Sequence, residues 1–144
     1  MYEHILVPTD GSKLSEKATR AAVALAAALG ARLTVMTVVE PWGTDGRHID
    51  LEEAHEVYEE RARPAAEERL RPAVRAAEKA GVPVDTEIRF EEHPWEAIIA
   101  VADARHCDLI QMASHGRRGV EALVLGSETV RVLTHSKIPV LVHR

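Results

Sequence analysis

The sequence is short of aromatic residues, which make up only 3% of its 144 positions. Any core must therefore be aliphatic, built from Ala, Val, Leu and Ile. It holds a single cysteine, Cys107, so no disulfide can form within the chain. No apolar run approaches the roughly 20 residues of a membrane span, and Met1-Tyr2-Glu3-His4 passes straight into a strand-like run without a signal-peptide pattern. A reducing, cytoplasmic setting and no membrane partner are expected. Two glycine fingerprints are also missing. There is no G-x-x-x-x-G-K-[ST] and no G-x-G-x-x-G after a strand, which excludes a Walker phosphate loop and a standard dinucleotide site.

Hydrophobic residues account for 46% and charged residues for 28%, a globular balance. The length suits one domain with a sizeable buried core. The net charge of −5 argues against general nucleic-acid binding, which needs a basic face. The charge is uneven: residues 111 to 144 carry five Lys/Arg against two acids, so the local field there suits a small anion.

Short β-branched runs alternate with longer Ala-rich periodic runs, which argues for βαβ units and a parallel sheet. Strands are expected at 4–7, 32–39, 84–90, 108–113 and 140–142. Helices are expected at 12–29, 51–80, 94–105 and 127–135, with Ser12 as an N-cap and Gly30 as a stop. Pro64 and Pro72 should kink or break the second helix. The prolines and glycines of 41–48 mark a loop. The result is an α/β fold, a single doubly wound (Rossmann-like) five-stranded parallel sheet with helices on both faces. Such sheets bind ligands at the carboxyl ends of the strands, where strand order reverses.

Two loops could carry chemistry. Val7-Pro8-Thr9-Asp10-Gly11-Ser12 follows the first strand and reads as a tight strand-to-helix turn. Met112-Ala113-Ser114-His115-Gly116-Arg117-Arg118-Gly119 follows the fourth and leads to Gly126-Ser127-Glu128-Thr129. Glycines there bring backbone close to a ligand, and a helix start offers free N–H groups. Ser114, Ser127 and Thr129 supply hydroxyls, while Arg117 and Arg118 supply charge, an inventory for holding phosphate. Of the histidines, only His115 lies in such a loop, and His55-Glu56-Val57-Tyr58-Glu59 lacks the second His of a zinc-protease helix. Cys107 reads as a buried, inert thiol. Trp42 and Trp95 read as packing or rim residues.

These residues resemble the universal stress protein (UspA-like) family along essentially the whole chain. The resemblance rests on Ile5 to Ser12, on Cys107-Asp108-Leu109-Ile110 leading to Met112 to Gly116, on Leu125-Gly126-Ser127 and on Pro139-Val140-Leu141-Val142. The ATP-binding branch of that family shows Gly, two residues, Gly, nine residues, Gly, then Ser or Thr. Residues 117 to 125 supply the nine, and Ala113 stands in place of the first Gly. The resemblance implies one domain over 1–144 with strand order 3-2-1-4-5, and a cytoplasmic homodimer paired through Val140, Leu141 and Val142. It implies ATP, with or without Mg²⁺, as the ligand. Pro8, Thr9, Asp10 and Val38 would line an adenine pocket. Met112, Ala113 and Gly116 would approach ribose and phosphates, and Gly126, Ser127, Glu128 and Thr129 would meet the phosphates. Two alternatives stand beside ATP binding. In one, Ala113, Glu92 and Glu128 close the pocket. In the other, a slow ATPase or phosphotransferase uses Asp10 or Glu128 for Mg²⁺ and Arg117 or Arg118 for charge.

Overall fold

The computed structural model describes residues 1–42, 52–116 and 125–144, with residues 52 and 53 by backbone alone. Strand β1 (His4–Pro8) is followed by α1 (Lys13–Leu29) and β2 (Arg32–Val39). Helix α2 (Glu52–Lys79), β3 (Val84–Phe90) and α3 (Pro94–Ala104) come next. Strand β4 (Leu109–Ala113), α4 (Ser127–His135) and β5 (Val140–His143) complete the chain. All pairings are parallel, in the order β3-β2-β1-β4-β5. Order reverses between β1 and β4, which makes their carboxyl ends the switch point.

Alternation along each strand decides which helix it meets. Ile5, Val7, Leu33, Val35 and Leu109 pack with Ala22, Val23 and Ala26 of α1 and Leu70, Ala73 and Ala77 of α2. Leu6, Met36, Ile110 and Met112 point the other way, onto Ala97, Ile98 and Val101 of α3 and Val132 of α4. The two middle strands are covered on both faces, so they read as continuous apolar runs.

Helix α1 has both of its expected ends. Ser12 accepts from the Ser15 amide, and Gly30 closes the helix at φ 67°, a left-handed conformation that glycine enters without a Cβ penalty. The break expected in α2 is absent: Pro64 and Pro72 lie inside one helical run. Both prolines are exposed, opposite the buried stripe of Ala66, Leu70, Ala73 and Ala77. The carbonyls that each ring leaves unbonded belong to Glu60 and Glu68, also exposed, where water can replace the missing N–H. The expected loop at 41–48 lies mostly outside the described residues.

Candidate functional site

The loop after β1 is tied up in its own hydrogen bonds. Thr9 N donates to the Met36 carbonyl at 2.8 Å, extending the β1–β2 ladder by one rung. Asp10 Oδ1 accepts from Ser12 N at 2.9 Å and from Ser15 Oγ at 2.8 Å. Thr9 Oγ1 accepts from Gly11 N at 3.2 Å and is hydrogen-bonded to Ser15 Oγ at 3.0 Å. Gly11 takes φ 78°, which the turn requires. These contacts fix the carboxylate of Asp10 just past the carboxyl end of β1.

The loop after β4 is built around close approaches. Neither Gly116 nor Gly126 has a positive φ, so their lack of a side chain matters for space. A Cβ on Gly116 would fall 2.7 Å from Asp10 Oδ2. One on Gly126 would lie 3.0 Å from His115 Cα and 3.3 Å from the Ser114 carbonyl, to which Gly126 N already donates at 2.7 Å. The two loops therefore interlock through glycine. Gly126 is the N-cap of α4 and provides no side-chain hydrogen bond, so the amides of Ser127, Glu128 and Thr129 open the helix uncapped. Their dipole adds partial positive charge at that end.

A cleft of about 940 Å³ opens between these loops. Its apolar wall includes Pro8, Val38, Ile98 and Met112; its polar side carries Thr9, Asp10, His115 and Gly116. Ala113, Gly126, Ser127, Glu128 and Thr129 complete the α4 end. Thus the expected pocket residues from Pro8 to Thr129 that are described border one cavity, except Ser114, whose hydroxyl was expected to serve phosphate and which is buried outside the lining. Arg117 and Arg118 lie outside the described residues. Ala113 ends β4 without a positive φ, so the family's glycine is not needed there for backbone reasons.

Two side chains are used differently from expectation. The hydroxyl of Thr129 donates to the Ala113 carbonyl at 3.0 Å, which binds α4 to the end of β4, so this hydroxyl is already engaged within the chain. Glu128 Oε2 accepts from the Trp95 amide at 2.8 Å. That amide belongs to the first turn of α3, whose N-cap, His93, makes no side-chain hydrogen bond. Glu92, a candidate plug, is exposed at the rim.

Sequence reasoning missed part of the wall: Ser15, Val39, Glu40, Tyr58 and Arg69. Ser15 follows the Ser12 cap by one turn, a spacing that could have shown it. Tyr58 and Arg69 belong to α2, and no local signal marks them. Tyr58 donates to the Glu40 carbonyl at 2.6 Å and packs between Trp42, at 5.5 Å, and Phe90, at 6.4 Å. Trp42 is thus held against another ring.

Of the remaining candidates, His115 borders the cleft, while His135 and Cys107 are engaged in packing. His115 Nδ1 and Ser114 Oγ are 3.2 Å apart, and His135 stacks on Trp95 at 4.6 Å. Burial pushes the Cys107 thiol up to about 11, so it stays protonated and inert. No cluster of three His, Cys, Asp or Glu side chains suited to a metal occurs among the described residues. No helix there is long and apolar enough to cross a membrane.

Comparison with known proteins agrees with this geometry. The family model described as "Universal stress protein family" matches residues 1–144. A universal stress protein of Thermus aquaticus is 35% identical, covering the whole of both chains. A solved structure of a universal stress protein from Lactobacillus plantarum has a TM-score of 0.76 at 27% identity, over 99% of this chain and 98% of that one. A crystal structure of a universal stress protein in complex with cAMP has a TM-score of 0.69 at 27% identity, over 98% and 95%. With its whole length matched and its five strands in the order β3-β2-β1-β4-β5, this chain belongs to the universal stress protein family.

Proposed function

We propose that the cleft binds a nucleotide, ATP foremost, and that the chain works as a regulatory protein of the stress-protein type whose state is set by that ligand. The observation that carries this is the start of α4. Gly126 leaves the first turn of α4 without a side-chain cap, and Ser127, Glu128 and Thr129 of that turn border a cavity that Pro8, Val38, Ile98 and Met112 also line. A helix N-terminus suits phosphate, through N–H donors and dipole together. Val38, Pro8, Ile98 and Met112 offer a flat apolar bed for a base. The cAMP bound by a related protein of the same fold supports a nucleotide over another anion.

The residues present suit such a ligand. Phosphate oxygens would meet the amides of Ser127, Glu128 and Thr129, with Gly116 allowing close passage beside Asp10. Mg²⁺ would arrive with the phosphates, because the described residues build no cage of their own for it. A ligand that stabilises one conformation of these interlocked loops would act by differential affinity, as a signal.

One domain over 1–144 is sufficient for this reading, and the single buried cysteine fits a cytoplasmic setting. The chain would work as a homodimer. Strand β5 is an outer strand, paired only with β4 among the described residues, and Leu141 on it is 44% exposed. Such an edge is stabilised by pairing with a copy of itself. Light scattering on the purified chain should give twice the monomer mass.

The direct test is a thermal shift with ATP, ADP, AMP, cAMP and adenosine, with Mg²⁺ present. Ligand at a hundred times its dissociation constant adds about 2.7 kcal/mol of stability. Nucleotide retained through purification, read from its ultraviolet spectrum and mass, would name the ligand. No shift with any member of the series overturns the proposal.

A further inference from the structure

The carboxylate of Glu128 is fixed in place. It lies on the first turn of α4, half-buried in the cleft wall, with Oε2 2.8 Å from the Trp95 amide. Trp95 is the second residue of α3, after Pro94, which has no N–H to offer. With His93 making no cap, Glu128 caps α3 from a neighbouring helix. The Trp95 ring in turn stacks on His135, at the last turn of α4, with centroids 4.6 Å apart and planes 26° from parallel. An unattached glutamate at this position could retreat into water as a phosphate approached. This one would have to uncap α3 and loosen its hold on α4.

A fixed negative charge beside amides that receive phosphate has a consequence for selectivity. The amides attract the first phosphate, while the carboxylate opposes every added charge, and partial burial reduces the screening between them. Asp10 and Glu92 border the same cleft and act in the same direction, against Arg69 on its α2 wall. Asp10 is held by Ser12 and Ser15, and Glu92 is exposed. Glu128 is the acid on the phosphate-facing turn itself.

Resting on the nucleotide reading above, we propose that Glu128 is a specificity-determining residue. It ranks nucleotides by phosphate charge, holding down affinity for metal-free triphosphate more than for Mg²⁺-bound ATP or for nucleotides with a single phosphate. Glu128→Gln separates charge from geometry, because the amide oxygen of Gln can still accept from Trp95 N–H. Glu128→Ala removes both.

The experiment is a titration of wild type, Glu128→Gln and Glu128→Ala with adenosine, AMP and ATP, each with EDTA and again with Mg²⁺. In EDTA, Glu128→Gln should tighten ATP by about three- to tenfold and leave adenosine within about twofold, with AMP between them. Mg²⁺ should shrink the gain, since it neutralises part of the triphosphate. Thermal unfolding should be near wild type for Gln and lower by about 2–4 °C for Ala, which loses the cap on α3. Equal ratios of ATP to adenosine affinity in wild type and Gln overturn the proposal and leave the nucleotide reading intact. Weaker ATP binding by Gln only when Mg²⁺ is present overturns it too, by making Glu128 a metal contact. If no ligand binds to any of the three proteins, both readings fall. If nucleotide binds to Gln alone, the selectivity proposal stands in its strongest form.

Discussion

The loops after β1 and β4 lie side by side at the switch point of the sheet, and each runs into a helix through a glycine. In the first, Asp10, Thr9, Ser12 and Ser15 satisfy one another, and Ser12 caps α1. In the second, α4 begins at a glycine that caps nothing, and Gly116 and Gly126 press bare backbone against neighbouring atoms. Similar residue types thus give a closed scaffold in one place and an open set of donors in the other. The difference is whether a hydroxyl or a hydrogen atom stands at the N-cap. A helix start that already has an intramolecular acceptor has less to give a ligand.

The strongest way to break this contrast is to block the open loop. Gly126→Val puts a branched side chain where even a Cβ lies 3.0 Å from His115 backbone. Nucleotide binding should be abolished in a calorimetric titration, while circular dichroism still shows a folded α/β protein. Gly126→Ser is the milder form. It offers α4 a cap of the kind that Ser12 gives α1, and it should weaken ATP binding by about tenfold or more, given one crowded contact and one competing acceptor. Wild-type affinity in both variants would place the ligand elsewhere.

The closed loop should respond the opposite way. Ser12→Ala removes the acceptor for Ser15 N and one partner of the Ser15 hydroxyl. Loss of an N-cap costs about 1 kcal/mol, a drop of about 2–4 °C in melting temperature for a chain of this size. Ser12 does not line the cleft, so affinity should stay within about twofold. An affinity loss larger than the stability loss would show that the scaffold loop takes part in binding.

How far the sequence discloses this depends on how local each feature is. Ser12, Gly30 and Gly126-Ser127 announce helix ends by their own chemistry, and the β-branched runs announce strands. Strand order came with the family resemblance, because periodicity carries no pairing information. The end of α3 was read to within one residue, although its left-handed residue is His106 at φ 54° and not a glycine. Pro64 and Pro72 leave α2 unbroken because the rule concerns a lost N–H. The decisive fact, that both face water opposite Leu70 and Ala73, appears only when the buried stripe is drawn on the helix. The direction of Glu128 was beyond reach, since Trp95 stands 33 residues away in sequence. Tyr58 and Arg69 enter the cleft wall only because α2 packs across β2 and β3.

The opposite end of the sheet offers the smallest test, and it separates stability from binding. At the amino end of β1, His4 is buried with Nε2 2.7 Å from Thr34 Oγ1. Burial lowers its pKa from the ordinary 6.5, and the nearby Arg32 charge lowers it further. The Arg105 carbonyl and the Asp108 and Asp85 carboxylates pull the other way and are outweighed. The unfolded chain therefore takes up a proton at a higher pH than the folded one. Stability contributed by neutral His4 is complete above pH 6.5 and is lost as pH falls from there toward the lowered folded value. Urea unfolding at steps from pH 8 to pH 5.5 should show that decline, and His4→Gln should flatten it. Affinity for adenosine, which carries no titrating phosphate, should not follow the same curve, because His4 lies at the end of the strands away from the cleft. An adenosine affinity that fell in step with stability would mean that the closed amino end and the open carboxyl end of this sheet are coupled.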